Sequence, residues 1–126
     1  MPLQNIIFKG TPVFFTTKGN GYPLVFLHGF NESINIWDKI IDKISLNHKC
    51  ILIELPGFGN SPLPSNLSIK YIAEAVKRIV DETGISSISQ KPIIIGHSMG
   101  GYVALEYLKL FEENIAAIGF IHSTAL

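Results

Sequence analysis

Four short apolar runs with little polar alternation recur along the chain. They are Leu24 to Leu27, Cys50 to Ile53, Ile93 to Ile95 and Ile115 to Ile121. β-branched residues without alternation are typical of strands in a parallel sheet that is covered on both faces. Two further β-rich runs, Asn5 to Phe8 and Val13 to Thr17, flank a turn rich in Gly and Pro near the start of the chain. This pair predicts an antiparallel hairpin at one edge of the sheet.

Apolar residues at helical spacing lie between the strand runs. The first set predicts a helix that packs by one side and comprises Ile36, Trp37, Ile40, Ile41 and Ile44. Ser68 is expected to cap a second helix that ends before Gly84. The apolar stripe of that helix consists of Ile69, Ile72, Ala73, Val76, Ile79 and Val80. The packing face of a third helix, after Ser98, comprises Val103, Ala104, Tyr107, Leu108 and Phe111. Alternating strands and helices predict an α/β fold with a mostly parallel, doubly wound sheet.

The composition fits one domain without a nucleic-acid or membrane partner. Hydrophobic residues make up 47% of 126 residues, which allows a sizeable core. The formal net charge is zero, whereas binding to nucleic acid or an anionic membrane favours basic clusters. Cys50 is the only cysteine and is expected to be a buried core thiol. No signal-peptide pattern and no apolar run of about 18 residues occurs, so we expect a cytoplasmic protein.

The stretch Pro92 to Tyr102, PIIIGHSMGGY, shows the clearest sign of chemistry. Gly96, Ser98 and Gly100 form G-x-S-x-G between an apolar strand run and a helical pattern. This context favours a nucleophile elbow over a plain glycine-rich turn. In an elbow the serine has a strained backbone, and side chains at the two glycine positions would crowd the strand-to-helix turn. We expect the Ser98 hydroxyl above the carboxyl end of the strand, close to the free N–H groups of the helix.

Three motifs in chain order resemble the α/β-hydrolase family. They are HGF at His28 to Phe30, LPGFGNS at Leu55 to Ser61 and GHSMGG at Gly96 to Gly101. The resemblance extends from about Phe8 to Ala125. It implies that the 126 residues are the N-terminal part of a single α/β-hydrolase domain.

The resemblance also assigns roles to individual residues. It implies that Ser98 is the catalytic nucleophile and that the backbone N–H groups of Met99 and Phe30 form an oxyanion hole. It implies that the elbow and the oxyanion loop are supported by His28, Gly29, Gly96, His97 and Gly100. A serine nucleophile favours hydrolysis of an ester, thioester or carbon–carbon bond in a small acyl substrate through an acyl-enzyme. No metal-ligand spacing or phosphate loop occurs in the sequence, so neither a metal nor another cofactor is expected.

The sequence departs from the family pattern in its catalytic acid and base. In the family, an Asp or Glu and then a His follow the nucleophile, on strands beyond the one that ends at Ile121. We therefore expect that these 126 residues lack both groups and the C-terminal strands, and that this chain alone is inactive. Glu54 precedes the nucleophile and is interpreted as a structural residue. The alternative function is a non-catalytic, hydrolase-like domain that binds a ligand or partner chain through the same cleft. An uncharged last strand at an open sheet edge also predicts self-association.

Each of the four histidines could in principle supply a base, but another role is favoured in every case. We expect His97 to pack or form a hydrogen bond with its side chain directed away from Ser98, and His28 to orient the oxyanion loop. We expect His48 to be solvated in a polar turn and His122 to form part of the wall of the site.

Two polar residues beside the oxyanion loop are also candidates. Asn31 and Glu32 follow Phe30 and could touch the cleft. Helix capping is the expected role for both, and Asn31 to Ser33 together offer the N-cap residues of the first helix.

Overall fold

The computed structural model describes residues 2–84 and 90–122, which form a six-stranded sheet with helices on both faces. The strands are β1 (Gln4–Phe8), β2 (Thr11–Lys18), β3 (Tyr22–Leu27), β4 (His48–Ile53), β5 (Ile93–His97) and β6 (Ala117–Ile121). The α-helices in these residues are α1 (Asp38–Ile44), α2 (Ile69–Glu82) and α3 (Met99–Phe111). Short 3-10 helices occupy Ile34–Trp37 and Glu112–Asn114.

The strand order in the sheet is β1-β2-β4-β3-β5-β6. β1 pairs with β2, and β2 with β4, in antiparallel fashion, whereas β4, β3, β5 and β6 are parallel to one another. The predicted hairpin and mostly parallel sheet are therefore confirmed. From β3 the chain passes to β4 on one side and later returns to β5 on the other. In open α/β sheets, ligands bind at such a reversal, outside the carboxyl ends of the strands.

Alternate residues of β3 enter two separate cores, one on each face of the sheet. Val25 and Leu27 pack in the core that is covered by α2 and α3. Leu24 and Phe26 pack in a second core together with Trp37 from the helical segment before β4. Because side chains alternate along a strand, one continuous apolar run supplies both faces. The sheet is thus doubly wound, as the sequence predicts.

The first helical segment differs from the prediction. The hydroxyl of Ser33 accepts a hydrogen bond from the Asn35 N–H, and the segment begins as a 3-10 helix before α1. Trp37 is buried, whereas Ile36 and Ile40 are more than a third exposed. A 3-10 helix has three residues per turn, so the buried face shifts relative to one continuous α-helix. The predicted packing role of Ile36 and Ile40 is therefore wrong.

The second helix agrees closely with its prediction. Ser68 accepts a hydrogen bond from the Tyr71 N–H at 3.0 Å, and Gly84 has a φ of 71° just beyond the helix. Of the predicted stripe, only Ile69 is less than fully buried. The glycine supplies the left-handed conformation that terminates many helices.

The third helix and last strand show two smaller departures. Val103 and Tyr107 in α3 are buried as predicted, but Leu108 is 37% exposed. The predicted run from Ile115 begins before the strand, since Ile115 packs in the core and the Ala116 N–H bonds the Pro92 carbonyl. β6 forms an edge of the described sheet.

Candidate active site

Ser98 occupies a tight turn between β5 and α3. Its backbone has a φ of 54° and a ψ of −118°, and its side chain is exposed. Non-glycine residues rarely adopt a positive φ, and such a conformation costs about 1–3 kcal/mol. The strained backbone expected at Ser98 is therefore present, and the G-x-S-x-G motif lies between a strand and a helix as predicted.

The two glycines of the motif lie where backbone segments meet. A Cβ atom on Gly96 would contact the backbone of Gly100 and approach the Gly101 nitrogen at 2.6 Å. A Cβ atom on Gly100 would contact the Leu27 carbonyl and lie 2.8 Å from the His28 carbonyl oxygen. Both positions therefore require glycine for the helix to approach the ends of β3 and β5.

The N-terminus of α3 begins at Met99, directly after Ser98. The first N–H groups of an α-helix have no partner within the helix and carry the positive end of its dipole. The Gly101 N–H bonds back to the Ser98 carbonyl at 2.9 Å. The Met99 N–H thus belongs to a terminus that favours negative charge near Ser98.

His28 follows β3 and is fully buried. Its Nε2 accepts a hydrogen bond from the Leu55 N–H at 3.0 Å, so the ring proton must be on Nδ1. Nδ1 donates this proton to the Gly29 carbonyl at 2.8 Å. The pKa of His28 is lowered, chiefly by burial, although the bond to Gly29 and the carboxylates of Glu54 and Glu32 act to raise it. His28 is therefore a neutral, fixed group.

The peptide between Gly29 and Phe30 is held through its carbonyl. Besides His28, the Glu32 N–H donates to the Gly29 carbonyl at 3.3 Å. The N–H of a trans peptide points opposite to its C=O, so these bonds also fix the direction of the Phe30 N–H. A Cβ atom on Gly29 would lie 2.9 Å from the Ser98 Cβ, so this loop borders the candidate nucleophile.

Phe30 is 72% exposed beside the loop. Its ring lies edge to face with the ring of Phe58, with the centroids 5.4 Å apart. The Phe58 ring makes a similar contact with His28 at 5.7 Å. Phe58 belongs to the Leu55 to Ser61 motif, so the loops that follow β3 and β4 meet next to the site. Sequence reasoning did not single out Phe58, although its place in that motif was a signal.

Glu32 does not cap the helix, so its predicted capping role is wrong. One oxygen of its carboxylate accepts from the Gly29 N–H at 2.6 Å and lies 2.8 Å from His97 Nδ1. Of the predicted cap residues Asn31 to Ser33, Ser33 is the cap. Asn31 has a φ of 59° in the loop, so its capping role is also wrong. Glu32 faces the loop and the elbow because the left-handed turn at Asn31 folds the chain back over Gly29.

The remaining histidines differ in their contacts. His97, next to Ser98, has the hydrogen-bonding role expected for it through Glu32, and its ring is 6.3 Å from that of the exposed His122. His48 is half-buried at the start of β4, with Nδ1 3.2 Å from the Ile44 carbonyl. Its predicted solvation in a polar turn is therefore wrong, because the ring turns back onto the end of α1.

Glu54 is buried and serves to join two loops. Its carboxylate accepts from the backbone and side-chain amides of Asn60, at 2.7 and 3.0 Å, and from the Ile34 N–H at 3.3 Å. The Ser61 hydroxyl donates to the Glu54 carbonyl at 2.6 Å. These bonds agree with the structural role expected for Glu54.

Two cavities lie outside this cluster of residues. One of about 400 Å³ is lined by Lys9, Tyr71 and the loop before α2, and another of about 300 Å³ by α3 and β6. Within residues 2–84 and 90–122, no three His, Cys, Asp or Glu side chains converge as metal ligands. In the same ranges, no helix combines the length and apolar character needed to cross a membrane.

The geometry agrees with the comparison of the sequence with known families. Residues 22–125 match the family described as alpha/beta hydrolase fold. The chain belongs to this family. The elbow at Ser98 and the loop after His28 are thus parts of an α/β-hydrolase fold.

Two curated relatives and one solved structure illustrate the range of similar proteins. The chain is 34% identical over 114 residues to a dihydrolipoyllysine-residue acetyltransferase component of an acetoin cleaving system from Cupriavidus necator, covering 89% of this chain and 29% of that protein. It is 35% identical over 102 residues to a pimeloyl-[acyl-carrier protein] methyl ester esterase from Aeromonas salmonicida, covering 79% of this chain and 37% of that protein. The epoxide hydrolase CorEH superimposes with a TM-score of 0.89 at 26% identity, covering 97% of this chain and 42% of that one. The α/β-hydrolase chain therefore spans about a third of the length of these curated relatives.

Proposed function

We propose that this chain carries the nucleophile and oxyanion hole of a serine-dependent ester hydrolase, within the N-terminal part of a longer α/β-hydrolase domain. The strained backbone of Ser98 carries the proposal, because it places this exposed residue at the N-terminus of α3. Gly29 borders the same serine from the loop after β3. A serine in a strained strand-to-helix turn, beside a loop that can supply an oxyanion donor, has the geometry of a nucleophile elbow.

The proposed reaction proceeds through an acyl-enzyme. Ser98 Oγ attacks the carbonyl carbon of a small acyl ester while a base accepts its proton. The carbonyl oxygen becomes an oxyanion and accepts hydrogen bonds from the Met99 and Phe30 N–H groups. The ester C–O bond then breaks, and the base returns the proton to the departing alcohol. Water attacks the acyl-enzyme by the same steps and releases the acid and free Ser98.

The two donors contribute through preorganisation. The N-terminus of α3 fixes the Met99 N–H, and the bonds at the Gly29 carbonyl fix the Phe30 N–H. Loss of one oxyanion donor raises the barrier by about 2.7–4 kcal/mol in a well-studied serine protease. We expect a similar magnitude for each donor here.

We assign the base and its acid partner to another part of the domain. Both ring nitrogens of His28 are engaged, and His97 Nδ1 contacts Glu32. The match also covers only 29% and 37% of the two curated relatives. The name of the methyl ester esterase supports an ester as the substrate class.

The test uses the full-length protein and a fluorophosphonate, which forms a covalent bond with activated serines. We expect one adduct on Ser98 by mass spectrometry, and hydrolysis of p-nitrophenyl acetate that falls at least about 10³-fold in Ser98→Ala. Ser65→Ala is the matched control, because Ser65 is exposed in the loop before α2, and it should keep both properties. Hydrolysis unchanged in Ser98→Ala would contradict the proposal. Absence of both adduct and turnover in the wild type would favour a ligand-binding domain.

A further inference from the structure

The Glu32 carboxylate joins the loop after β3 to His97, the last residue of β5, which precedes Ser98. A single oxygen, Oε1, accepts from the Gly29 N–H at 2.6 Å and contacts His97 Nδ1 at 2.8 Å. The Glu32 and His97 side chains are only 28% and 23% exposed, so solvent screens this contact less than it screens an open surface pair. Glu32 follows β3 and His97 ends β5, so the contact crosses the parallel ladder between these strands.

Glu32 holds the peptides on both sides of Gly29. Its side chain accepts from the Gly29 N–H, and its backbone N–H donates to the Gly29 carbonyl at 3.3 Å. The second bond acts on the peptide whose N–H belongs to Phe30. Since the carboxylate engages the Gly29 N–H, the Phe30 N–H is the donor that this loop can offer to an oxyanion.

We infer that Glu32 is a positioning residue that holds the Phe30 N–H in register with Ser98 by linking Gly29 to His97. This inference rests on the proposed function. It requires no contact between Glu32 and the substrate. An oxyanion donor acts mainly in the transition state, so its misplacement should lower kcat more than it changes KM. A displacement of about 1 Å at such a site can cost on the order of 10²-fold in rate.

The experiment compares three Glu32 variants of the full-length protein in p-nitrophenyl acetate hydrolysis. Glu32→Ala removes the acceptor and should lower kcat about 10- to 100-fold, with KM within about threefold of the wild type. Glu32→Asp keeps the charge but is one methylene shorter, so it cannot reach both Gly29 and His97 and should also lower kcat. Glu32→Gln keeps a carbonyl oxygen that can accept from the Gly29 N–H, so its kcat should stay within about fivefold of the wild-type value.

Two controls separate positioning from stability and from the proposed function itself. Glu82→Ala removes an exposed ion pair with Arg78 on α2 and should leave kcat unchanged. Ser98→Ala measures the serine-dependent rate in the same assay. If Ser98→Ala is inactive while folded Glu32→Ala or Glu32→Asp retains wild-type kcat, the inference is overturned and the proposed function stands. If Glu32→Ala does not fold, Glu32→Asp decides the question. A Glu32→Gln variant that is folded but as slow as Glu32→Ala would also overturn the inference.

Discussion

Gly100→Ala should destabilise the fold, although alanine is the better helix former. The added Cβ would contact the Leu27 carbonyl oxygen and lie 2.7 Å from its carbon and 2.8 Å from the His28 carbonyl oxygen. These atoms are backbone atoms at the end of β3, which is paired on both sides. Neither a side-chain rotation nor a small loop movement can relieve the contact. The helix itself must move away from the sheet.

The expected magnitude depends on two opposing effects. Overpacking costs about 1–3 kcal/mol, and a contact with paired backbone belongs near the upper end of this range. Alanine recovers up to about 1 kcal/mol of helix propensity. The net loss of unfolding free energy is therefore about 2 kcal/mol, which lowers Tm by roughly 4–8 °C in a domain of about 150–250 residues.

The assay is a thermal melt of the full-length protein, monitored by circular dichroism. Gly119→Ala in β6 is the matched control, because its Cβ would meet only Ile95 Cγ1 at an ordinary 3.6 Å. Its Tm should stay constant or rise slightly, since glycine weakens a strand interior. An unchanged Tm in Gly100→Ala, or an equal fall in both variants, would refute the argument that close helix–strand approach requires Gly100.

Three further predictions concern groups outside the elbow turn. The pKa of His28 is lowered in the folded state, so the unfolded chain takes up the proton first as pH falls. Urea melts at about pH 7.5 and 5.5 should therefore show a lower free energy of unfolding below about pH 6.5. His28→Gln should not show this loss. A free energy of unfolding that increases from about pH 7.5 to about pH 5.5 would contradict the burial argument. Burial raises the pKa of the Cys50 thiol to about 11, so a thiol reagent such as DTNB should label it only after unfolding. Rapid labelling of the native protein would show that the core around Cys50 opens. The 126-residue chain should self-associate through the uncharged edge strand β6. Phe120→Lys should therefore reduce the mass measured by light scattering. A sharply melting monomer in the unsubstituted chain would contradict self-association.

Local patterns predict much of this fold because the physics behind them is local. A continuous apolar run such as Ile93 to Ile95 is typical of a strand whose side chains are covered on both faces of a sheet, and the structure places it in β5. Ser68 and Gly84 mark the ends of α2 because caps depend on residues within one turn. The positive φ of Ser98 is predictable in the same way from the glycines that surround it.

The features that sequence reasoning missed depend on tertiary contacts. Glu32 stands beside a helix start, and only the approach of His97 from β5 gives its carboxylate a second partner. The half-burial of His48 likewise depends on how α1 ends above β4. The 3-10 start of the first helical segment moves Ile36 to the surface because one turn of different pitch changes which side chains face the sheet.

The pairing of β3 with β5 has a consequence for how the protein folds during synthesis. Leu24 pairs with Ile93, far along the chain, whereas its partner in β4, Cys50, is made much sooner. Closing the longer loop is the slower step, and it awaits translation of β5. A nascent chain can therefore join β3 to β4 while the segment with Ser98 is still unmade or unpaired. The strained backbone of Ser98 is held only after β5 docks beside β3, so this conformation is reached late in folding.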